Sequence, residues 1–266
     1  MDKNKIRNLL IRSISGAAML VIMLGALFLS EYTFLALLIV LGVGIMSEFF
    51  KLSTHGPSRT TKWLAWLAGS VLIASVILCQ DGKCLMALLP LTALIFIVEL
   101  YRGDEKPLEN ISVTVCGIAY AAVPMALLAA ISEQGGEYEP LLVLVFFVTV
   151  WINDVFAYLV GMSIGRRRLM ERISPKKSWE GFWGGVIFAT AFTAITGHLT
   201  GNNWLICGGF GLLVAVTSVF GDLVESMFKR AAGVKDSGNI IPGHGGFMDR
   251  FDAMLVSLPF AAIMNY

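Results

Sequence analysis

Two carboxylate pairs with the same spacing stand in the C-terminal part of this 266-residue chain: Asp222 with Glu225, and Asp249 with Asp252. A spacing of three puts each pair on one face of a helix. A fifth acid, Asp154, follows Asn153 inside a strongly apolar stretch, where an ionisable group is costly and a functional role is the default reading. Basic and hydroxyl residues stand beside these acids. One segment reads Ser174-Pro175-Lys176-Lys177-Ser178, and another carries Ser226, Lys229, Arg230, Lys235 and Asp236. The second runs on through Pro242-Gly243-His244-Gly245-Gly246 to Asp249-Arg250-Phe251-Asp252. Carboxylates grouped with cations and glycines suit Mg²⁺ and phosphate, because Mg²⁺ takes oxygen ligands and keeps part of its shell for substrate oxygens. Lys and Ser donate to phosphate oxygens, and a glycine turn feeding a helix N-terminus lets backbone amides approach an anion.

The elements that must position these groups are membrane helices. Hydrophobic residues make up 56% of the chain and charged residues 15%, where roughly 25% charged is usual for soluble domains. The mean hydropathy of +0.75 agrees. Nine stretches approach the ~20 apolar residues that cross the hydrocarbon core: 14–29, 32–50, 63–79, 85–101, 111–131, 141–162, 182–199, 204–220 and 251–263. None alternates polar and apolar residues as a barrel strand does, so an all-α, polytopic bundle is expected. The first stretch lacks a clean small-x-small cleavage site and reads as an uncleaved anchor. With the N-terminus in the cytoplasm, every one of the 20 Lys and Arg residues except Lys83 falls on the inner side. Glu31, Asp81, Glu133, Glu137 and Glu139 then occupy outer loops. The loops are too short for a soluble domain. The chain reads as a single membrane domain over 1–266, with scaffold spans in 1–140 and catalytic spans and loops in 141–266.

Glu48 and Glu99 lie near inner span ends and read as side chains that snorkel to water. Cys79, Cys84, Cys116 and Cys207 read as small hydrophobes. Cys79 and Cys84 flank an outer turn and are the one pair placed to oxidise.

The segment 226–252 resembles the pattern of the phosphatidate cytidylyltransferase (CDP-diacylglycerol synthase) family: Ser, two residues, Lys-Arg, four residues, Lys-Asp, then Pro-Gly-His-Gly-Gly and Asp-Arg-x-Asp. Ser226, Lys229, Arg230, Lys235, Asp236, His244, Gly245, Gly246, Asp249, Arg250 and Asp252 match in type and spacing. Segments 174–181 and 153–158 are also similar to the family, with Ser178 where Thr is common. The resemblance implies that CTP and phosphatidic acid yield CDP-diacylglycerol and pyrophosphate. It implies Mg²⁺ on Asp222 and Asp249 with a second cation nearby, Glu225 and Asp252 being auxiliary. Asp154 either binds metal or pairs with a loop cation. Lys176, Lys177, Lys229, Arg230, Lys235 and Arg250, with Ser174 and Ser178, would hold substrate phosphates. His244 either contacts a phosphate or donates a proton.

The expected setting is a bacterial inner (cytoplasmic) membrane, with membrane lipids as surroundings, no nucleic-acid partner, and a homodimer left open. Two other classes fit parts of the pattern. A secondary transporter buries acids and glycines too, but near the midplane rather than at span ends. Another nucleotide-using lipid enzyme, such as a polyprenol kinase or an ether-lipid cytidylyltransferase, shares the phosphate chemistry.

Overall fold

The computed structural model describes residues 3–53, 56–79, 83–134 and 136–264. Asp81, read above as an outer-loop acid, lies outside them. Helices dominate: α1 (Lys3–Leu29), α2 (Glu31–Leu52), α3 (Arg59–Leu78), α4 (Leu88–Arg102), α5 (Pro107–Gly117), α6 (Val123–Ser132), α7 (Pro140–Ile164), α8 (Trp179–Leu199), α9 (Trp204–Ala231) and α10 (Met248–Met264). Two short hairpins join them, β1 (Glu133–Gln134) with β2 (Glu137–Tyr138) and β3 (Arg168–Met170) with β4 (Ser174–Ser178). Local sequence explains the boundaries. Ser30 and Ser58 cap α2 and α3 by accepting from the amides of Thr33 and Thr61. Prolines begin α5 and α7, where a missing N–H costs nothing. Between α5 and α6 the helix takes a π turn at Ile118–Ala122. Pro124 lacks the N–H that would bond the Tyr120 carbonyl, so the regular ladder is already interrupted there.

Eight stretches among the described residues are long and apolar enough to cross a bilayer, α5 and α6 together forming one of them. The ninth expected span corresponds to α10. It has 17 residues, begins with Asp249, Arg250 and Asp252, and contains Pro259. At 1.5 Å per residue it is ~26 Å long, a little under the ~30 Å hydrocarbon core.

The chain folds as two compact units. Unit 1 comprises Met1–Tyr138 and Ala231–Phe251. The glycine-rich segment, grouped by sequence with the C-terminal spans, therefore packs with the N-terminal helices. Phe34, Leu38, Ile45, Met46, Ile73, Met125 and Leu128 are fully enclosed in this unit. Glu99 of α4 does not snorkel. It is buried and accepts from Thr61 Oγ1 of α3 (2.8 Å) and Asn110 Nδ2 of α5 (3.3 Å), which pins three helices together. Cys79 and Cys84 are joined as a disulfide, with Cα atoms 5.9 Å apart, so for this pair the thiol reading gives way to the oxidised one. Tyr138 donates from its hydroxyl to the Leu27 carbonyl at 2.6 Å. Burial, reinforced by Glu133 and Glu31, pushes that phenol up to about 12, so it stays a donor.

Unit 2 comprises Glu139–Arg230 and Asp252–Tyr266. Its main seam joins α7 and α8. In lipid no hydrophobic gain draws helices together, so close van der Waals packing at small residues has to do it. A Cβ on Gly181 would lie 2.6 Å from the Ala157 carbonyl oxygen, and one on Gly185 2.6 Å from that of Asn153. Only glycine permits this approach. A buried hydrogen bond from Asn153 Nδ2 to Ser218 Oγ (3.0 Å) ties α7 to α9. Phe182, Val186, Ala189, Ala215, Val219 and Leu223 fill the core between α8 and α9.

Candidate active site

The close α7–α8 seam leaves the 166–178 connection little room, and it folds back as the β3–β4 hairpin, Arg168 opposite Ser178 and Met170 opposite Ser174. Ser178 caps α8 by accepting from the Gly181 amide at 3.2 Å. Glu180 accepts from the amides of Arg166 and Arg167, which fixes the start of the arginine run. The hairpin thus presents Lys176, Lys177 and Arg168 to a cavity of about 610 Å³ in unit 2. That volume suits a small-molecule site. Asp154 and Tyr158 of α7, Asp222 of α9 and Asp252 of α10 line the same cavity.

Two of these cavity acids, Asp222 and Asp252, meet the buried Glu225 at its edge. One carboxylate oxygen from each of Asp222, Glu225 and Asp252 lies within 4.8 Å of the other two. Lys177 Nζ sits 2.6 Å from Asp222 Oδ2, and Ser226 Oγ donates to Asp222 Oδ1 at 3.2 Å. Glu225 is fully buried and ion-paired with Lys229, one turn along α9. Such an array of oxygen donors next to an ammonium can bind a hard divalent cation and phosphate oxygens together.

Arg230, near the end of α9, is an exposed residue of unit 2; the remaining sequence-selected residues belong to unit 1. Gly243 and Gly245 adopt positive φ (75° and 88°), closed to most side chains, and the turn is locked by amides of His244 and Gly245 donating to the Ile241 carbonyl. Asp249 is only 9% exposed. Its carboxylate accepts from the Gly246 amide (2.8 Å), the Ser237 amide (3.0 Å) and the Ser237 hydroxyl (3.0 Å). Glu48 accepts from the amides of Phe247 (3.0 Å) and Met248 (2.8 Å). The amides offered to an anion by the sequence reading are therefore engaged by the protein's own carbonyls and carboxylates. Arg250 Nε donates to the His244 carbonyl at 2.9 Å, while Lys235 and Asp236 are exposed. His244 packs its ring beside Gly16 of α1, and its buried Nδ1 has no hydrogen-bond partner among the described residues.

Glu48, Ser237, Glu180 and Tyr158 are absent from the sequence-selected set. Glu48 carried a signal, a lone acid in an apolar span; its place near the span end hid it.

A model of the cytidylyltransferase family matches residues 10–266. The chain belongs to the cytidylyltransferase family. A phosphatidate cytidylyltransferase of Staphylococcus epidermidis is 32% identical over 257 residues, covering 92% of each chain. Proteins of that name from Haemophilus influenzae and Aquifex aeolicus are 47% identical over 126 residues and 43% identical over 140. In these two alignments this member of the cytidylyltransferase family spans 43% and 51% of the relative, about half its length. The motif resemblance over 226–252 and the family match agree.

Proposed function

We propose that this membrane protein transfers the cytidylyl group of CTP to phosphatidic acid, releasing pyrophosphate and leaving CDP-diacylglycerol. A phosphate oxygen of the lipid attacks the α-phosphorus of CTP; a new P–O–P link forms as the bond between the α-phosphorus and the α–β bridging oxygen breaks. A phosphate monoester is a nucleophile near neutral pH, so no activated serine is needed. The barrier lies in bringing two polyanions together, and fixed positive charge lowers it. One observation carries the reading: Lys177 stands against Asp222 in the cavity, and one carboxylate oxygen each of Asp222, Asp252 and the buried Glu225 lie within 4.8 Å of one another.

The oxygen-only donor set fits Mg²⁺, which Asp222, Glu225 and Asp252 would hold, with Asp154 the carboxylate left for a second cation. When bound, the ion neutralises phosphate charge and polarises the reacting P–O bonds. Lys176, Lys177 and Arg168 receive phosphate oxygens from the hairpin. Ser226 holds Asp222 in orientation, and Ser174 and Ser178 shape the hairpin and its helix cap. In unit 1, Lys235, His244 and Arg250 are the groups of the glycine-rich segment with the chemistry to bind phosphate, with Asp249 and Ser237 fixing its turn. In this reading the N-terminus faces the cytoplasm from a bacterial inner membrane, an orientation that the segregation of Lys and Arg supports.

Purified protein in lipid nanodiscs with phosphatidic acid, Mg²⁺ and CTP should give CDP-diacylglycerol and pyrophosphate by mass spectrometry. A lipid that gained phosphate without cytidine would identify a kinase and overturn the reading. So would nucleotide-independent solute flux in proteoliposomes without any cytidylylated product.

A further inference from the structure

Glu48 stands near the end of α2 and is wholly enclosed. A buried carboxyl is costly unless its oxygens are satisfied. Its partners come from a segment about two hundred residues further along the chain. Oε1 accepts from the Phe247 amide at 3.0 Å and Oε2 from the Met248 amide at 2.8 Å, and Oε2 also lies 3.1 Å from the Ser237 hydroxyl, whose one proton it shares with Asp249. Phe247 and Met248 sit at the start of α10, where amides have no intrahelical acceptor and the helix dipole favours negative charge. Glu48 therefore caps α10 from another helix, while Asp249 takes the Gly246 amide beside it. The fit is tight. A Cβ on Gly238 would lie 2.5 Å from Glu48 Oε1, and one on Gly246 would collide with both carboxylate oxygens.

We propose that Glu48 is a positioning residue for cytidylyl transfer: it fixes segment 237–249 and thereby the placement of His244 and Arg250. This rests on the function proposed above. Glu48 touches no substrate group; it acts through the turn. Glu99 supplies the contrast within the same unit, because it is buried too but, among the described residues, bonds Thr61 and Asn110 of neighbouring helices and Arg102 of its own. The N-terminal helices thus contribute directly to the geometry of the glycine-rich segment.

The test compares Glu48→Gln, Glu48→Asp, Ser237→Ala and Glu99→Gln in the full chain in nanodiscs. Gln keeps one acceptor oxygen and turns an NH₂ toward N–H donors; Asp is one methylene short. In both Glu48 variants, hydrogen exchange in peptides covering 237–250 should rise about ten-fold or more. Their kcat should fall by about ten-fold to a hundred-fold, with KM for CTP changing by less than about three-fold. Ser237→Ala should move both readouts the same way by less, and it keeps the proposal testable where the Glu48 variants fail to fold. Glu99→Gln should leave exchange in 237–250 and kcat at wild-type values. Unchanged exchange in the folded Glu48 or Ser237 variants, or an equal rise in Glu99→Gln, overturns the proposal. A wild-type protein without cytidylyl transfer removes the enzymatic reading alone, since the exchange measurement still reports on the positioning.

Discussion

Lys177 Nζ lies 2.6 Å from Asp222 Oδ2 and 3.5 Å from the Val219 carbonyl, so a lysine from the β3–β4 hairpin is held against α9. The two paired side chains are 26% and 38% exposed. A pair with that much access to water contributes roughly 0–1 kcal/mol to stability. Its value must then lie in where it puts the charge. Lys177→Ala should keep the wild-type unfolding temperature while kcat/KM falls by about a hundred-fold, the loss typical of one preorganised charge donor. Lys176 also lines the cavity but has no carboxylate partner among the described residues, so Lys176→Ala should lose less. Normal turnover in Lys177→Ala would show that the hairpin only anchors the protein to anionic lipid.

Glu225 and Lys229 present the opposite balance. Glu225 is fully buried and Lys229 nearly so, and removing one member of a buried ion pair typically costs 3–5 kcal/mol because the other charge is stranded. Glu225→Gln should therefore lower the unfolding temperature sharply, and Glu225→Gln combined with Lys229→Met should recover part of the loss. Thermal unfolding in one detergent across the double-mutant cycle measures this. Additive losses would mean that the two side chains act independently.

How much of this was legible in the sequence follows from the range over which each feature is encoded. Apolar runs of bilayer length are local, so eight spans were readable directly; α10 alone falls short of the usual length, with charges in its first turn. The pairing of Asp222 with Glu225 is likewise set by helical spacing. The arrival of Asp252 beside them depends on helix packing, and nothing local in the sequence marks it. Asp249 shares Asp252's spacing, yet its carboxylate is taken up by Ser237 and Gly246, because a turn with two positive-φ glycines needs its amides satisfied. Glu48 was harder still: its partners lie some two hundred positions away, and the snorkelling rule gave an adequate explanation of an acid near a span end.

The length of α10 makes a topological prediction. With the N-terminus inside and eight preceding spans, a crossing α10 puts the C-terminus outside, whereas an α10 that stays in one leaflet leaves it inside. Slight local thinning of the bilayer accommodates a helix a few ångströms short at a modest cost. Fourteen residues from Ala253 to Tyr266 follow the acids and carry no Lys, Arg, Asp or Glu. A C-terminal cysteine should therefore react with an impermeant maleimide in intact cells. Labelling only after permeabilisation would reduce the spans to eight.

Magnesium titrations should separate two kinds of aspartate. Asp222 is one of the three clustered acids, so on the proposed reading Asp222→Asn would weaken the ligand set without removing it, because Glu225 and Asp252 remain. Its activity, lowered at ordinary Mg²⁺, should recover in part as Mg²⁺ is raised, because mass action compensates for a weaker site. Asp249 is bonded to the amides of Ser237 and Gly246, and an Asn there must turn its NH₂ toward N–H donors or give one of them up. A buried donor left without an acceptor costs about 1–3 kcal/mol, and no concentration of metal supplies the missing oxygen. Asp249→Asn should accordingly lose turnover at every Mg²⁺ concentration and show faster hydrogen exchange over 237–250, with expression intact. Recovery of Asp249→Asn on raising Mg²⁺, with exchange unchanged, would return Asp249 to the metal-binding role that its motif suggests. The two variants together thus decide between a ligand and a residue that shapes the turn.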